Sequence, residues 1–197
     1  MRWTAIVPLK SAGSRKSRLS ERVAAAERER LSLVLFGHVS GVLARSERIS
    51  ALLVLSPARP EGWAGDWRED QGRGLNPELD EALSGLQEGK LIIHPDLPLL
   101  SVVDIDAMLE TAERSGLAVA PDRHDRGTNA LALADGRAFS CCFGEDSFAR
   151  HQQGSGGAFG IVRRAGLAFD CDTPADLEEA LEAGLPLFSR IRAAIVV

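Results

Sequence analysis

Hydrophobic positions along this chain form short apolar runs separated by longer stretches of helical period. The first run, WTAIVPL at residues 3–9, reads as a strand. From about Glu21 to Arg45, the apolar positions Leu31, Val34, Leu35, Val39 and Leu43 fall on one side of a predicted helix. ISALLVLS at 49–56 is a second, buried strand. KLIIH at 90–94, LAVAP at 117–121 and NALALA at 129–134 are three more, and GIVRR at 160–164 and LAFD at 167–170 also read as strands.

Capping chemistry places helices between the strands. Asn76-Pro77 reads as the cap and first position of a helix running to about Gly89. Ser101 caps the next helix, with Asp104 completing a partial capping box. A short polar helix is expected from about Asp146 to Gln153. The last helix is signalled by Thr173 as cap, Pro174 at its first position, Asp176 closing the box and Gly184 as stop. The connection at 57–74 carries Pro57, Pro60, Gly62, Gly65, Gly72 and Gly74. It is long for a compact domain, which points to function or disorder. Strands alternating with helices predict an α/β fold, a mostly parallel sheet with helices on both faces, and residues 1–197 read as a single domain. In such sheets ligands bind beyond the carboxyl ends of the strands. Three polar segments lie just there, at 10–18, 96–98 and 122–129.

Composition narrows the class. A chain of 197 residues with 45% hydrophobic content can bury a sizeable core. No apolar run approaches the ~20 residues of a membrane span, and MRWTAIVPLK lacks a secretory core, so a soluble cytoplasmic protein is expected. Cys141, Cys142 and Cys171 show no paired spacing, which argues against disulfides or zinc and fits buried small hydrophobes. A net charge of -5 speaks against non-specific nucleic-acid binding. The charge is uneven, however. LKSAGSRKSRL at 9–19 carries Lys10, Arg15, Lys16 and Arg18 and no acid, which suits a small anionic ligand.

P-loop and dinucleotide fingerprints are absent. The basic loop still has the parts of a phosphate cradle: Ala12, Gly13 and Ser14 admit backbone approach, and the cations flank them. An ordinary solvated loop is the alternative. Asp96 lies between Pro95 and Pro98, and Asp170 and Asp172 share a side if the chain there is extended. Such acids suit Mg²⁺, which takes one or two carboxylates plus substrate phosphates. A turn at Asp96 and helix capping at Asp172 are equally compatible with the spacing. Gly127-Thr128-Asn129 offers backbone N–H groups and a hydroxyl to a phosphate, or forms a turn. Gly144 and Ser147 offer a second anion site at a helix start. His124 and His151 read as solvated or hydrogen-bonded structural residues. Trp63 and Trp67 either pack on the long loop or cover a ligand.

Taken together, VPLK with RKSRL, GLN at 74–76, PDLPLL at 95–100, PDRHDRGTNAL at 121–131, FGEDSFARH at 143–151 and DCDTPADL at 170–177 resemble a known family. It is the 2-phospho-L-lactate / phosphoenolpyruvate guanylyltransferases of coenzyme F420 biosynthesis. The resemblance implies a Rossmann-like nucleotidyltransferase fold of three layers with a mixed sheet. It implies coupling of GTP to a small phosphorylated three-carbon acid with release of pyrophosphate, and Mg²⁺ as cofactor. Leu9, Lys10, Gly13, Lys16 and Arg18 correspond to the triphosphate loop, and Gly74, Leu75 and Asn76 to a segment near the nucleotide. Lys10, Lys16, Arg18 and Asp96 carry the catalytic assignment. Asp96, Asp170 and Asp172 correspond to metal positions, and Thr128, Gly144 and Ser147 to positions around the acceptor's phosphate. Arg15 stands where relatives often have Ala, and Pro77-Glu78 where they often have Ala-Ala. Phosphoenolpyruvate is the favoured acid, because 2-phospholactate is mainly an archaeal choice in the family; 3-phosphoglycerate is the third candidate. The resemblance also implies hand-over to a downstream Fo transferase, involves neither nucleic acid nor membrane, and leaves room for a homodimer. A related enzyme acting on a sugar phosphate or molybdopterin, and a non-catalytic nucleotide-binding protein, are the competing readings.

Overall fold

The computed structural model describes the chain except for residues 11–15, 17–18, 21, 88, 135–138, 157–158, 183 and 185–197. Seven strands, β1 (Trp3–Pro8), β2 (Ile49–Ser56), β3 (Asp66–Glu69), β4 (Gly89–Ile93), β5 (Leu117–Pro121), β6 (Thr128–Leu133) and β7 (Gly160–Ile161), form one sheet in the order β3-β2-β1-β4-β6-β5-β7. β6 runs antiparallel to both β4 and β5, and every other pairing is parallel. The sheet is therefore mixed but mostly parallel, as expected.

The helices are α1 (Ala25–Arg45), α2 (Leu75–Ser84), α3 (Val102–Ser115), α4 (Ser147–Gly154), α5 (Ala165–Ala168) and α6 (Pro174–Glu182). Alternate residues of the central strands enter opposite cores. Ala5 and Val7 pack with Val39 and Leu43 of α1 and Met108 and Leu109 of α3. Ile6 packs with Leu79 and Leu83 of α2 and Phe148 of α4. That alternation is the period-two geometry of a strand buried on both faces, and it produces the three layers. A third, smaller cluster joins Leu19, Val23, Leu31 and Leu35 to Phe169, Cys171 and Leu177. It ties the segment after β1 to the segment before α6.

Several boundaries differ from the sequence reading. α1 begins at Ala25 rather than near residue 21, because Leu19 and Val23 turn inward to the third cluster. Glu27 accepts a hydrogen bond from the Ala24 N–H at the new start. α2 is capped by Gly74 at φ +101°, so Asn76 and Pro77 lie inside its first turn and are not cap and first position. It stops at Ser84, and Gly89 opens β4. The 57–74 connection contains β3, a charged edge strand (DWRE) whose pattern carries no burial signal. LAFD is not a strand: its first two residues end α5. GIVRR contributes only its first two residues to β7. The Ser101–Asp104 box forms as expected, with the Ser101 N–H donating to Asp104 Oδ2 at 3.0 Å. At α6, Asp176 Oδ2 accepts from the Thr173 N–H at 2.6 Å.

The topology fixes where a site belongs. The chain winds from β1 outward to β2 and β3, then returns to place β4 on the other side of β1. Strand order reverses between β1 and β4, and a crevice opens beyond their carboxyl ends. The reversed β6 delivers its first residue, Thr128, to that same edge.

Candidate functional site

A cleft of about 960 Å³ lies at this edge, entered from the ends of β1, β4, β5 and β6. The segment after β1 supplies Leu9, Lys10 and Lys16 to its lining. The segment after β4 supplies His94 and Asp96, and the segment before α6 supplies Asp170 and Asp172. Thr128, Gly144 and Ser147 complete the lining. Nine of the residues singled out from sequence are thus brought together. Gly13 and Arg18 lie outside the described residues.

Two of the expected nucleotide contacts lie outside the cleft lining. Gly74 and Asn76 do not line the cleft, whereas Leu75 does. The Asn76 amide is committed at both ends: Nδ2 donates to the Phe143 carbonyl at 3.1 Å, and Oδ1 accepts from the Phe143 N–H at 2.7 Å. Its role is to fasten α2 to the extended segment that leads into Gly144.

The carboxylates are drawn together by backbone and side chain. The Cys171 N–H donates to the Asp96 carbonyl at 3.0 Å, joining the two acidic segments. Asn129 Nδ2 donates to the Leu167 carbonyl at 3.0 Å and to Asp170 Oδ1 at 3.4 Å. The Asn129 amide nitrogen is therefore engaged by the 167–170 segment, while the residue still lines the cleft. Lys16, buried and at φ +53°, reaches Asp96 Oδ2 at 2.6 Å and Asp172 Oδ1 at 3.2 Å.

Electrostatics here is a contest between burial and neighbours. Burial opposes charge on Lys16, but the Asp96 and Asp172 carboxylates outweigh it and raise its pKa. Burial likewise opposes ionisation of Asp96, and the Lys16 ammonium holds it below the usual carboxylate range. At Asp170 burial prevails, and together with the Asp96 charge it pushes the carboxyl up to about 6. Asp96 Oδ1 is buried with no hydrogen-bond partner among the described residues. Also among them, no three His, Cys, Asp or Glu side chains gather closely enough to hold a metal unaided. What exists is a half-buried carboxylate, its Oδ1 unpaired among the described residues, beside two more, with the Lys16 ammonium bridging Asp96 and Asp172.

The stretch PDRHDRGTN is a loop built around one carboxylate. Asp122 Oδ1 accepts from the His124 and Arg126 N–H groups at 3.0 and 2.9 Å, and Oδ2 from the Gly127 N–H at 2.8 Å. A Cβ on Gly127 would lie 2.7 Å from Asp122 Oδ2, so a larger residue would have to displace the carboxylate that organises the loop. The loop thereby turns Arg126 and His124 into the cleft wall. Thr128 follows, buried, with Oγ1 2.9 Å from His151 Nδ1.

Sequence reasoning missed His94, Asp122 and the framing role of Glu78. His94 closes the run KLIIH on the cleft edge, and its position at a strand's carboxyl end was the available signal. Its pKa is lowered, by burial above all. Glu78, fully buried, accepts from the Gln71 N–H at 3.0 Å and from Arg73 Nε and Nη2, both at 2.9 Å. Trp63 tilts against Phe36 at 5.5 Å, and Trp67 donates to Ser56 Oγ at 3.1 Å; both are packing residues outside the cleft lining.

Comparison with known proteins agrees with this geometry. Residues 3–185 match the family described as guanylyl transferase CofC like. The phosphoenolpyruvate guanylyltransferase of Sphaerobacter thermophilus is 41% identical over 192 residues, covering 91% of this chain and 92% of that protein. That of Rubrobacter xylanophilus is 35% identical, covering 91% and 94%. Among solved structures, a Desulfovibrio desulfuricans G20 protein provisionally named a nucleotide-diphospho-sugar transferase superposes with a TM-score of 0.75 at 15% identity, covering 99% and 97%. The 2-C-methyl-D-erythritol 4-phosphate cytidylyltransferase of Thermus thermophilus does so with a TM-score of 0.56 at 17% identity, covering 93% and 98%. These two carry the fold alone.

Proposed function

The chain belongs to the CofC-like guanylyl transferase family, and on that premise we propose that it couples GTP to phosphoenolpyruvate in coenzyme F420 biosynthesis. The observation that carries this is the meeting of Lys16 with Asp96 and Asp172 at the β1/β4 crevice, in one cleft with Thr128, Gly144 and Ser147. Lys10, Lys16 and the three carboxylates are groups that could hold a triphosphate and a cation, and Thr128, Gly144 and Ser147 are small or hydroxyl-bearing residues suited to a second anion.

In the proposed reaction a phosphate oxygen of the acid attacks the α-phosphorus of GTP. The new P–O bond forms as the bond to the β-phosphate breaks, and pyrophosphate leaves with the electron pair. The attacking oxygen is already ionised near neutral pH, so the cleft needs no strong general base. Its work is to hold two polyanions in line and to offset charge on the α-phosphate and the departing pyrophosphate. Lys10 and Lys16 would face the triphosphate, and Arg126 and His124 add cationic and polar groups to the same cleft. Asp96, with Asp170 and Asp172, would hold Mg²⁺. Support comes from the unpartnered Asp96 Oδ1 and from the burial and negative surroundings that disfavour charge on Asp170, both of which a cation would relieve. When bound, Mg²⁺ would supply charge neutralisation between the phosphates and the carboxylates.

Among the described residues no helix is long and apolar enough to cross a membrane. Transfer of the product to a downstream Fo transferase, and a homodimer, belong to the same proposal. The test is mass spectrometry of products from GTP, Mg²⁺ and a panel of acids, with ATP, CTP and UTP as competitors. We expect a guanylylated phosphoenolpyruvate as main product and clear GTP preference. A sugar phosphate outperforming every three-carbon acid, a product only from phosphoglycerate, or no nucleotide preference would overturn the reading in its respective part.

A further inference from the structure

His151 is fully buried in α4, yet both of its ring nitrogens are engaged. The Cys142 backbone N–H lies 3.0 Å from Nε2 and can only donate, so Nε2 must present its lone pair. Burial holds the imidazole neutral, its pKa pushed down to about 4. A neutral imidazole has one N–H, which must then sit on Nδ1. Nδ1 is 2.9 Å from Thr128 Oγ1, so the ring donates and the hydroxyl accepts. The Thr128 hydroxyl hydrogen is left over, and among the described residues no acceptor takes it. Phe143, edge-on at 4.9 Å, and Phe139 at 5.8 Å hold the ring in place.

We propose that His151 is a positioning residue, which fixes the direction of the Thr128 hydroxyl so that its hydrogen is presented to the phosphate of the acceptor acid in the cleft. This rests on the guanylyl-transfer reading above. The same ring also anchors the segment that carries Gly144. Three successive N–H groups there are received by side chains: Cys141 by Asp80 Oδ1 at 2.7 Å, Cys142 by His151, and Phe143 by Asn76 Oδ1 at 2.7 Å. One imidazole thus sets both the hydroxyl of Thr128 and the approach of the backbone to Gly144, which faces the cleft at φ +113°. The device selects for an acceptor that brings a hydrogen-bond-accepting oxygen to Thr128, and it leaves the nucleotide side untouched.

Two measurements test this. Ring ¹⁵N spectra of the whole protein distinguish the Nδ1–H from the Nε2–H tautomer, and His151 should show Nδ1–H near neutral pH. Steady-state kinetics with GTP and phosphoenolpyruvate then compare wild type with His151→Leu and His151→Asn. His151→Leu should raise the acceptor KM by about tenfold or more with the GTP KM nearly unchanged. Asn, whose amide nitrogen can take the place of Nδ1, should recover much of the loss. Adding Thr128→Val to His151→Leu should raise the acceptor KM by less than the product of the two single effects, because both variants remove the same directed hydroxyl. An Nε2–H tautomer, or equal shifts in both KM values, would overturn the inference. So would an unmoved acceptor KM in His151→Leu with a normally active wild type, which would leave the functional reading standing. A wild type that guanylylates no acid would remove the functional reading and the acceptor role of Thr128 with it.

Discussion

Asp96 and Thr128 both line the cleft, at the ends of the neighbouring strands β4 and β6, and should fail in different ways when altered. Asp96→Asn removes the charge that faces Lys16 at 2.6 Å and the oxygen left for a cation. We expect kcat to fall steeply, with added Mg²⁺ restoring part of it. Asn still accepts from Lys16, and Asp172 remains beside the ammonium, so stability should drop by only about 1–3 kcal/mol. Near-normal kcat at low Mg²⁺ would contradict the metal assignment. Thr128→Val should instead raise the acceptor KM by roughly one to two decades and spare the GTP KM, since a lost hydrogen bond to a charged group costs about 1.5–3 kcal/mol. Equal effects on both substrates would make Thr128 a packing residue. Asp96 was legible in the sequence because an acid just past a strand end is where this architecture collects ligands; Asp170 and Asp172 reach the same cleft although the strand expected before them is the end of α5 and an irregular segment. Asn76 was misread for the opposite reason. An Asn before a Pro has the look of a helix cap, and only the tertiary fold reveals that its amide is matched to the Phe143 backbone.

Elements position these residues through a few buried polar anchors. Glu78, within the first turns of α2, receives the Gln71 N–H and the Arg73 guanidinium and so shapes the approach to Gly74. The Arg73 hydrogen bonds and charge, working against desolvation, hold its pKa down at about 2. A carboxyl depressed in the folded state stabilises the fold above its ordinary range and loses that contribution as pH falls through its folded value. The melting-temperature gap between wild type and Glu78→Gln should therefore be constant above about pH 5 and close as pH falls toward about 2. A gap independent of pH over that range would show that Glu78 acts through packing and not charge. The elements with clear periodicity or caps, such as α1, α3, β5 and α6, were readable from sequence to within a few residues. β3 was not, since DWRE has neither alternation nor an apolar run and is held as an edge by pairing with β2. LAFD misled because its apolar residues are buried from a short helix and an irregular segment, where burial is the same but the period is not.

On the scale of the whole molecule, one topological fact organises the site. The reversal of strand order beside β1 opens the crevice, and the antiparallel β6 brings Thr128 to the same edge as Lys16 and Asp96. No stretch of sequence states that reversal, although alternation of strands and helices implies a sheet that could contain it. The net charge of -5 is consistent with a cleft whose cations are local and few, drawing in small anions and not a polyanion. In the proposed reaction this crevice joins the phosphate of phosphoenolpyruvate to the α-phosphorus of GTP. The most direct test follows the oxygen atoms: GTP and Mg²⁺ are supplied with phosphoenolpyruvate carrying ¹⁸O in its phosphate, and both products are weighed. The account predicts a guanylylated acid that retains all of the label, formed one for one with unlabelled pyrophosphate. Label in the pyrophosphate, or GTP consumed with no nucleotidyl product, would contradict it.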